Sequence, residues 1–215
     1  MMPSQAMQAY ELIEDMIVRM ELKPGSRISE KSLSDMLGIG RTPVREALLR
    51  LAFEGVVHVT PRSGVTISGI DTSDQFRLLE VRRELESIMV RRSAQFSTAE
   101  ERLRFAALAD SFMRAGAQDD GDMFVRTDHE FNQLLASSSQ NRYASIAMSA
   151  IQVQTRRFWY FYLNVKKFGD LPKVSRLHAK VAAAIAQEKP AEAQKASDEL
   201  LDYIEEYTTR IIKTI

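Results

Sequence analysis

Ile39-Gly-Arg-Thr-Pro-Val-Arg-Glu-Ala-Leu-Leu-Arg-Leu51 predicts a short helix that packs by one side and carries cations near its N-terminal end. Its apolar residues recur at the i, i+3, i+4, i+7 spacing of one helical face: Val44, Ala47, Leu48 and Leu51. Thr42 can cap this helix, and Pro43 at the first helical position loses no hydrogen bond. Arg41, Thr42 and Arg45 lie off the stripe. This pattern is typical of a helix whose first turn enters a DNA major groove, and an ordinary capped surface helix is the alternative.

The composition excludes several classes of protein. A chain of 215 residues with 45% hydrophobic residues can form one or two domains with a substantial core. It has no cysteine, which excludes disulfides, thiolate metal sites and cysteine nucleophiles. Residues 1–6 lack the basic start and apolar run of a signal peptide, and the apolar-aromatic run at 158–163 is too short to span a bilayer. We therefore expect a cytoplasmic protein with no membrane partner.

The charge balance sets a condition on any DNA binding. Lys and Arg together number 29, as do Asp and Glu, so no overall basic field attracts a nucleic acid. Between residues 40 and 62, however, arginine outnumbers glutamate by four to two. DNA contacts would have to come from this local cluster.

Residues 1–70 follow the order of a winged helix-turn-helix domain. Apolar residues at helical spacing over 10–20 predict a first helix, and a serine caps a second helix over 30–37. The glycine-rich turn at 38–40 then leads into the third helix, and 56–68 predicts two strands joined by a hairpin. That hairpin would be the wing, with Arg62 near its tip, although a solvated turn arginine is the alternative.

The chain from Leu22 to Val57 carries Pro-Gly, Ser-Glu, Leu-Gly, Arg-Thr-Pro-Val-Arg-Glu-Ala-Leu and Glu-Gly elements in order. In these elements it resembles the DNA-binding domain of the GntR family of bacterial transcription regulators, over nearly all of residues 8–69. The resemblance implies six DNA-contacting residues: Lys31, Arg41, Thr42, Arg45, Arg62 and Gly64.

The chemistry of these side chains assigns them different tasks. Arg41 or Arg45 can pair with both acceptors of a guanine and so specify sequence, at about 1–3 kcal/mol each. Thr42 and Lys31 are better suited to hold phosphates and set the register. The family often has serine where this chain has Gly40, which removes one phosphate contact.

Residues 71–215 predict an all-α domain of about six helices, near 73–95, 98–115, 119–136, 141–165, 173–188 and 190–213. The fold class is therefore mainly α, a winged helix-turn-helix domain with a small β-hairpin followed by a helical bundle. Polar residues interrupt three apolar helix faces: Arg82 beside Leu78, Leu85 and Met89, Asp128 and Asn132 in the third helix, and His178 in the fifth. Buried polar groups need partners, so we expect these four to line a shared pocket; separate satisfaction of each is the alternative. The run from Arg156 to Tyr162 predicts core and dimer face.

Over about 76–207 the spacing of Arg82, Glu86, Asp128, Phe131, Asn141 and His178 resembles the FCD effector domain of the FadR subfamily. Six helices favour its VanR-like branch. Many FCD domains hold a divalent metal through one Asp and three His, and the resemblance places Asp128 and His178 at two of those positions. Asn132 and Leu200 stand at the other two, so we expect a degraded metal site and an organic effector bound directly. Arg82 indicates a carboxylate on that effector, and a structural ion pair with Glu86 is the alternative.

These expectations combine into a transcription regulator of the repressor type. A homodimer would place two recognition helices about 34 Å apart on a short inverted repeat of double-stranded DNA. One alternative is a metal-dependent or acid/base enzyme that uses Asp128 and His178 in a helical bundle. Another is a helical ligand-binding adaptor whose winged helix no longer binds DNA.

Overall fold

The computed structural model describes residues 4–60, 64–162 and 170–214, and the chain divides into two compact units. One unit comprises Met1–Asp71 together with Val153–Phe161, and the other comprises Thr72–Gln152 and Tyr162–Ile215. No helix in the described ranges is long and apolar enough to cross a bilayer.

Over residues 4–71 the first unit is built from three helices and a small sheet. The elements are α1 Gln5–Val18, β1 Arg27–Ile28, α2 Glu30–Leu37, α3 Arg41–Phe53, β2 Val57–Thr60 and β3 Gly64–Ile67. The antiparallel sheet has the order β1-β3-β2. Ser29 caps α2 by accepting a hydrogen bond from the amide of Ser32, and Gly38 ends it in the left-handed conformation at φ 64°. The predicted helices and hairpin strands are confirmed, and β1 is an addition to them.

The start of α3 differs from the prediction. Gly40 is the N-cap residue, and no side chain caps the helix, so the expectation that Thr42 is the cap and Pro43 the first helical residue is wrong. Gly40 has the extended backbone of an N-cap (φ −57°, ψ 154°), which lets the helix begin at Arg41. Pro43 still costs nothing, because the first four helical N–H groups have no partner within the helix.

The six helices predicted after residue 71 are present, and all but the end of the fourth belong to the second unit; the predicted end of that helix at residue 165 lies outside the described residues. The six helices are α4 Asp74–Phe96, α5 Ala99–Gln118, α6 Gly121–Ser138, α7 Arg142–Tyr160, α8 Leu171–Ala186 and α9 Pro190–Thr214. Helix α5 packs along α8, and α9 packs against both α4 and α8. Thr98 and Glu101 form a capping box at the start of α5. Phe105, Phe112 and Phe131 meet edge to face in the core between α5 and α6.

The buried face of α4 is displaced from the predicted one. Leu79, Arg82, Glu86 and Met89 are buried, whereas Leu78 and Leu85 are half-buried. Glu86 can occupy a core position because it forms an ion pair with Arg82 one turn earlier. The sequence predicted one buried charge on this face, that of Arg82, and the structure buries the opposite charge of Glu86 beside it.

Candidate functional site

Helix α3 presents two chemically different sides. Val44, Leu48 and Leu51 are at most 1% exposed, so the predicted apolar stripe is confirmed as core. Arg41, Thr42 and Arg45 are all exposed in the first turns of the helix. Because the N-cap residue Gly40 has no side chain that could cap α3, it leaves the first N–H groups of the helix open to an acceptor such as a phosphate oxygen.

Two of the cations predicted to contact DNA lie beside carboxylates. The Nε atom of Arg45 is 3.6 Å from Oε1 of Glu30, and its side chain is 70% exposed. Lys31 forms an i,i+4 ion pair with Asp35 at 3.1 Å, with both side chains about two-thirds exposed. Such exposed pairs contribute about 0–1 kcal/mol, so both cations can exchange their carboxylate for a phosphate or a base.

Glu30 is the residue of this surface that the sequence analysis did not single out. It is the first residue of α2, and its carboxylate faces a helix of the same unit across the turn at 38–40. The only indication in the sequence was the Ser-Glu pair at the start of α2, and this pair is equally typical of ordinary helix capping.

The wing is described only in part. Gly64 pairs with Thr60 at the described end of the hairpin, with φ 92°. A Cβ atom at this position would lie 3.0 Å from the carbonyl oxygen of Ile28. Glycine is therefore required here by both conformation and space. Arg62, the predicted wing-tip cation, lies outside the described residues.

Three of the four polar residues predicted for the helical unit come together. Asn132 donates from Nδ2 to Oδ2 of Asp128 at 3.1 Å, and Oδ1 of Asp128 lies 3.5 Å from Nε2 of His178. His178 and Asn132 are buried, and the side chain of Asp128 is 13% exposed. We call Asp128, Asn132 and His178 the polar triad.

The histidine ring is held in a fixed orientation. Its Nδ1 atom is 2.9 Å from the carbonyl oxygen of Val174, which can only accept, so Nδ1 carries a proton. Phe112 and Phe124 lie against the ring, with centroids at 5.0 and 5.1 Å. The Nε2 atom is thereby directed to Asp128. In a neutral ring this atom presents a lone pair to a carboxylate, and a cation or a hydrogen-bond donor between the two would relieve that repulsion.

Arg82 has a different partner. Its Nε donates to Oε2 of Glu86 at 2.6 Å, and Ser197 of α9 donates to the other oxygen of Glu86 at 3.1 Å. All three residues are buried. The observed contact of Arg82 is thus the structural ion pair, the alternative raised by the sequence.

The residues of the polar triad do not make a complete metal site. A structural zinc ion takes four protein ligands and a catalytic one takes three, whereas Asp128 and His178 supply two, and Asn132 adds only a neutral amide. Leu200, at the fourth family position, is a buried apolar side chain. Within the described ranges, no group of three or more His, Cys, Asp or Glu side chains could hold a metal ion.

Comparison with protein families gives two matches. A model described as "Bacterial regulatory proteins, gntR family" matches residues 5–67, and one described as "FCD domain" matches residues 77–203.

Curated relatives carry regulator names. The chain is 36% identical to the "Nta operon transcriptional regulator" of Aminobacter aminovorans over 129 residues, which cover 59% of this chain and 60% of that protein. It is 23% identical to the "HTH-type transcriptional repressor RspR" of Escherichia coli over 204 residues, covering 95% and 89% of the two chains. This chain spans only 60% of the length of the Nta regulator, 62% of the regulator YdhC of Bacillus subtilis and 52% of a regulator of Streptomyces ambofaciens.

Solved structures share the fold. Escherichia coli McbR/YncC superposes with a TM-score of 0.83 at 19% identity, over 98% of this chain and all of that one. A GntR-type regulator from Rhodococcus sp. RHA1 gives 0.72 at 20% identity, over 99% and 100% of the chains.

Proposed function

This chain belongs to the GntR family of bacterial regulatory proteins and carries the FCD domain, and we propose that it represses transcription from operator DNA under the control of a small organic molecule. The observation that carries the DNA-binding half is the exposed first turn of α3, with Arg41, Thr42 and Arg45 opposite a fully buried stripe. The chain would act in the cytoplasm, where its DNA lies.

Arg45 and Arg41 are the residues we propose to read bases, and Lys31, Thr42, Arg62 and Gly64 those we propose to meet the backbone of the duplex. With equal numbers of acidic and basic residues, the protein has no general attraction to DNA. We therefore propose a homodimer that applies two copies of α3 to an inverted repeat, with half-sites about 34 Å apart.

The test uses a duplex selected by the wild-type protein from a random-sequence library. Arg45→Ala should weaken binding to that duplex by about 5–150-fold per half-site, as expected for loss of one base-reading arginine. Arg77→Ala is the matched control, because Arg77 is also an exposed arginine in an ion pair, with Asp74 of α4. Equal binding by wild type and Arg45→Ala, or equal losses in both variants, would refute the assignment.

The polar triad is the site we propose for the effector. Asp128 and His178 offer a carboxylate and an imidazole nitrogen beside the rings of Phe112 and Phe124, and Asn132 donates a hydrogen bond to the carboxylate. We propose that the effector enters directly, without a resident metal, and that the domain is of the VanR-like branch. To bind a carboxylate group on the effector, Arg82 would have to turn away from Glu86, with which it forms an ion pair at 2.6 Å.

A thermal-shift screen of small organic acids and amines tests this site. A ligand at a hundred times its Kd stabilises the folded state by about 2.7 kcal/mol. For a chain of this length, that raises Tm by about 5–10 °C. Asp128→Asn should abolish the shift, whereas His129→Ala, at the neighbouring position of α6, should keep it. If Asp128→Asn responds to every hit as the wild type does, the effector binds elsewhere.

The enzyme alternative is not favoured. The family and its named relatives are regulators.

A further inference from the structure

Helix α7 is divided between the two units along its length. It is one continuous helix from Arg142 to Tyr160, and residues up to Gln152 belong to the helical unit. From Val153 onward its residues belong instead to the unit that contains the recognition helix. A boundary inside a helix is unusual, because compact units are ordinarily joined by loops. The end of α7 is therefore part of the first unit, which contains α1, α2, α3 and the sheet and which we call the DNA-reading unit.

The first contact of this helix end is a buried ion pair with α1. Nη1 of Arg156 donates to Oε1 of Glu14 at 2.6 Å, and the two side chains are 5 and 8% exposed. Burial raises the pKa of Glu14, and the charge of Arg156 opposes that rise. Each charge is therefore stable at its position only while the other is present.

The second contact reaches the end of the recognition helix. Nε2 of Gln154 donates to the carbonyl oxygen of Glu54, the C-cap residue of α3, at 3.1 Å. The Glu54 carboxylate accepts from the Tyr10 hydroxyl at 2.8 Å and from Arg50 at 3.3 Å. The same residue is thus fixed by α1, α3 and α7 together.

The third contact holds the segment that follows the wing. The guanidinium of Arg157 donates to the carbonyl oxygens of Ser68 and Gly69, directly after β3. Arg157 is 1% exposed, and burial lowers its pKa to about 10. A full charge in the core is costly, and an apolar side chain would fill the same space at lower cost, so stability alone does not account for it.

We infer that the end of α7 positions the elements of the DNA-reading unit. The effector would alter operator affinity by changing the contacts of this helix end with α1, with the C-cap of α3 and with the segment after β3. This inference rests on the proposed function. Hydrogen bonds and ion pairs suit such a role because they are directional, so a small displacement of α7 breaks them. Apolar contacts are not directional and would persist after the same displacement. The positioning residues are Gln154, Arg156 and Arg157, none of which needs to touch DNA.

Hydrogen exchange of the full wild-type chain, with and without the selected duplex, gives the first test. DNA bound by α2, α3 and the wing should slow amide exchange in peptides covering 153–160. Peptides covering α5 should not change. If the duplex protects α3 and leaves 153–160 unaltered, the inference is wrong. Failure to select any duplex would instead count against the proposed function.

Substitutions separate positioning from stability. Arg156→Met should lower Tm, because it leaves Glu14 buried without its partner, and Glu14→Leu/Arg156→Met should restore most of that loss. Operator affinity should stay reduced by about tenfold or more in the double variant, a typical size of coupling between linked sites. Recovery of affinity together with Tm would show that the pair is merely structural.

A milder variant serves if these chains do not fold. Gln154→Ala removes a single half-buried hydrogen bond and should leave Tm nearly unchanged. It should weaken operator binding severalfold and speed exchange at the end of α3. Arg104→Ala, an exposed arginine on α5, is the control and should change neither. Unaltered affinity in Gln154→Ala would overturn the role of the C-cap contact.

Discussion

Replacing Gly116 with alanine is expected to destabilise the helical unit and to disturb the polar triad at a distance of one helical turn. A Cβ atom at Gly116 would lie 2.8 Å from Cβ of Ser175 and 3.1 Å from Cα of Pro172. Neither atom can rotate away, because Cα belongs to the backbone of α8 and Cβ is bonded directly to it. The helices α5 and α8 would therefore have to separate by several tenths of an ångström.

Two opposing free energies set the size of the effect. Alanine in place of glycine inside a helix favours folding by about 1 kcal/mol. Overpacking a rigid contact costs about 1–3 kcal/mol. The difference is a net destabilisation of about 0–2 kcal/mol. Its midpoint, about 1 kcal/mol, lowers Tm by about 2–4 °C in a chain of this length.

The same displacement should reach the polar triad, the proposed effector site. Gly116 follows Phe112 by one turn of α5, and Ser175 precedes His178 by just under one turn of α8. The rings of Phe112 and His178 are 5.0 Å apart, so a wider gap between the helices would withdraw His178 from its aromatic neighbour. Thermal-shift hits that act through Asp128 should bind Gly116→Ala more weakly than the wild type.

A double-mutant cycle with Ser175→Gly isolates the contact. Ser175→Gly alone should cost about 0.5 kcal/mol of helix propensity, because serine is already less favourable than alanine in a helix. In Gly116→Ala/Ser175→Gly the 2.8 Å contact no longer exists, so the loss should be smaller than the sum of the two single losses. Strict additivity, or a rise in Tm of Gly116→Ala, would refute the reasoning that this contact sets the helix spacing.

Three further predictions concern stability and are measured by thermal or urea unfolding. Gly64→Ala should cost about 1–3 kcal/mol, because alanine is strained at φ 92° and its Cβ would meet the carbonyl of Ile28 at 3.0 Å. Arg82→Met should cost about 3–5 kcal/mol by leaving a buried carboxylate unpaired, whereas Arg82→Met/Glu86→Leu should recover most of it; equal losses would argue against a coupled pair. Thr98→Ala should cost about 1 kcal/mol through loss of the capping box.

The recognition helix could be predicted because its determinants are local. The spacing of Val44, Ala47 and Leu48 is a property of adjacent turns, and it alone determines which side faces the core. The cap could not be assigned in the same way. Thr42 and Gly40 are both acceptable N-cap residues, and the choice depends on the backbone of the turn that precedes the helix. The result leaves the Thr42 hydroxyl on the exposed side rather than occupied at the helix end.

Strand β1 had no signal in the sequence. It has two residues, and it exists because Arg27 pairs with Thr66 and Ile28 with Val65 of β3. Two residues cannot display an alternating pattern, so only the long-range pairing defines the strand.

The polar triad could be predicted from the sequence only in part. Asp128 and Asn132 are one turn apart on α6, so their hydrogen bond follows from helical periodicity. His178 could be expected nearby only because it interrupts an apolar face. The partner of Arg82 could be predicted as well, since Glu86 is again one turn away. Ser197 could not, because it lies 111 residues after Glu86 and donates to it from α9.

The end of α7 was predicted only in part. The run from Arg156 to Tyr162 was expected to be core and dimer face; Arg157, Phe158 and Trp159 are buried, and the dimer face stays a prediction. Periodicity carries no information about which core a helix enters, and Glu14 precedes Arg156 by 142 residues. Two adjacent arginines inside an apolar helix nevertheless indicate that partners exist elsewhere in the chain, because each buried charge needs one. Here the partners are Glu14 of α1 and the carbonyl oxygens that follow β3, which belong to the same unit as the recognition helix α3.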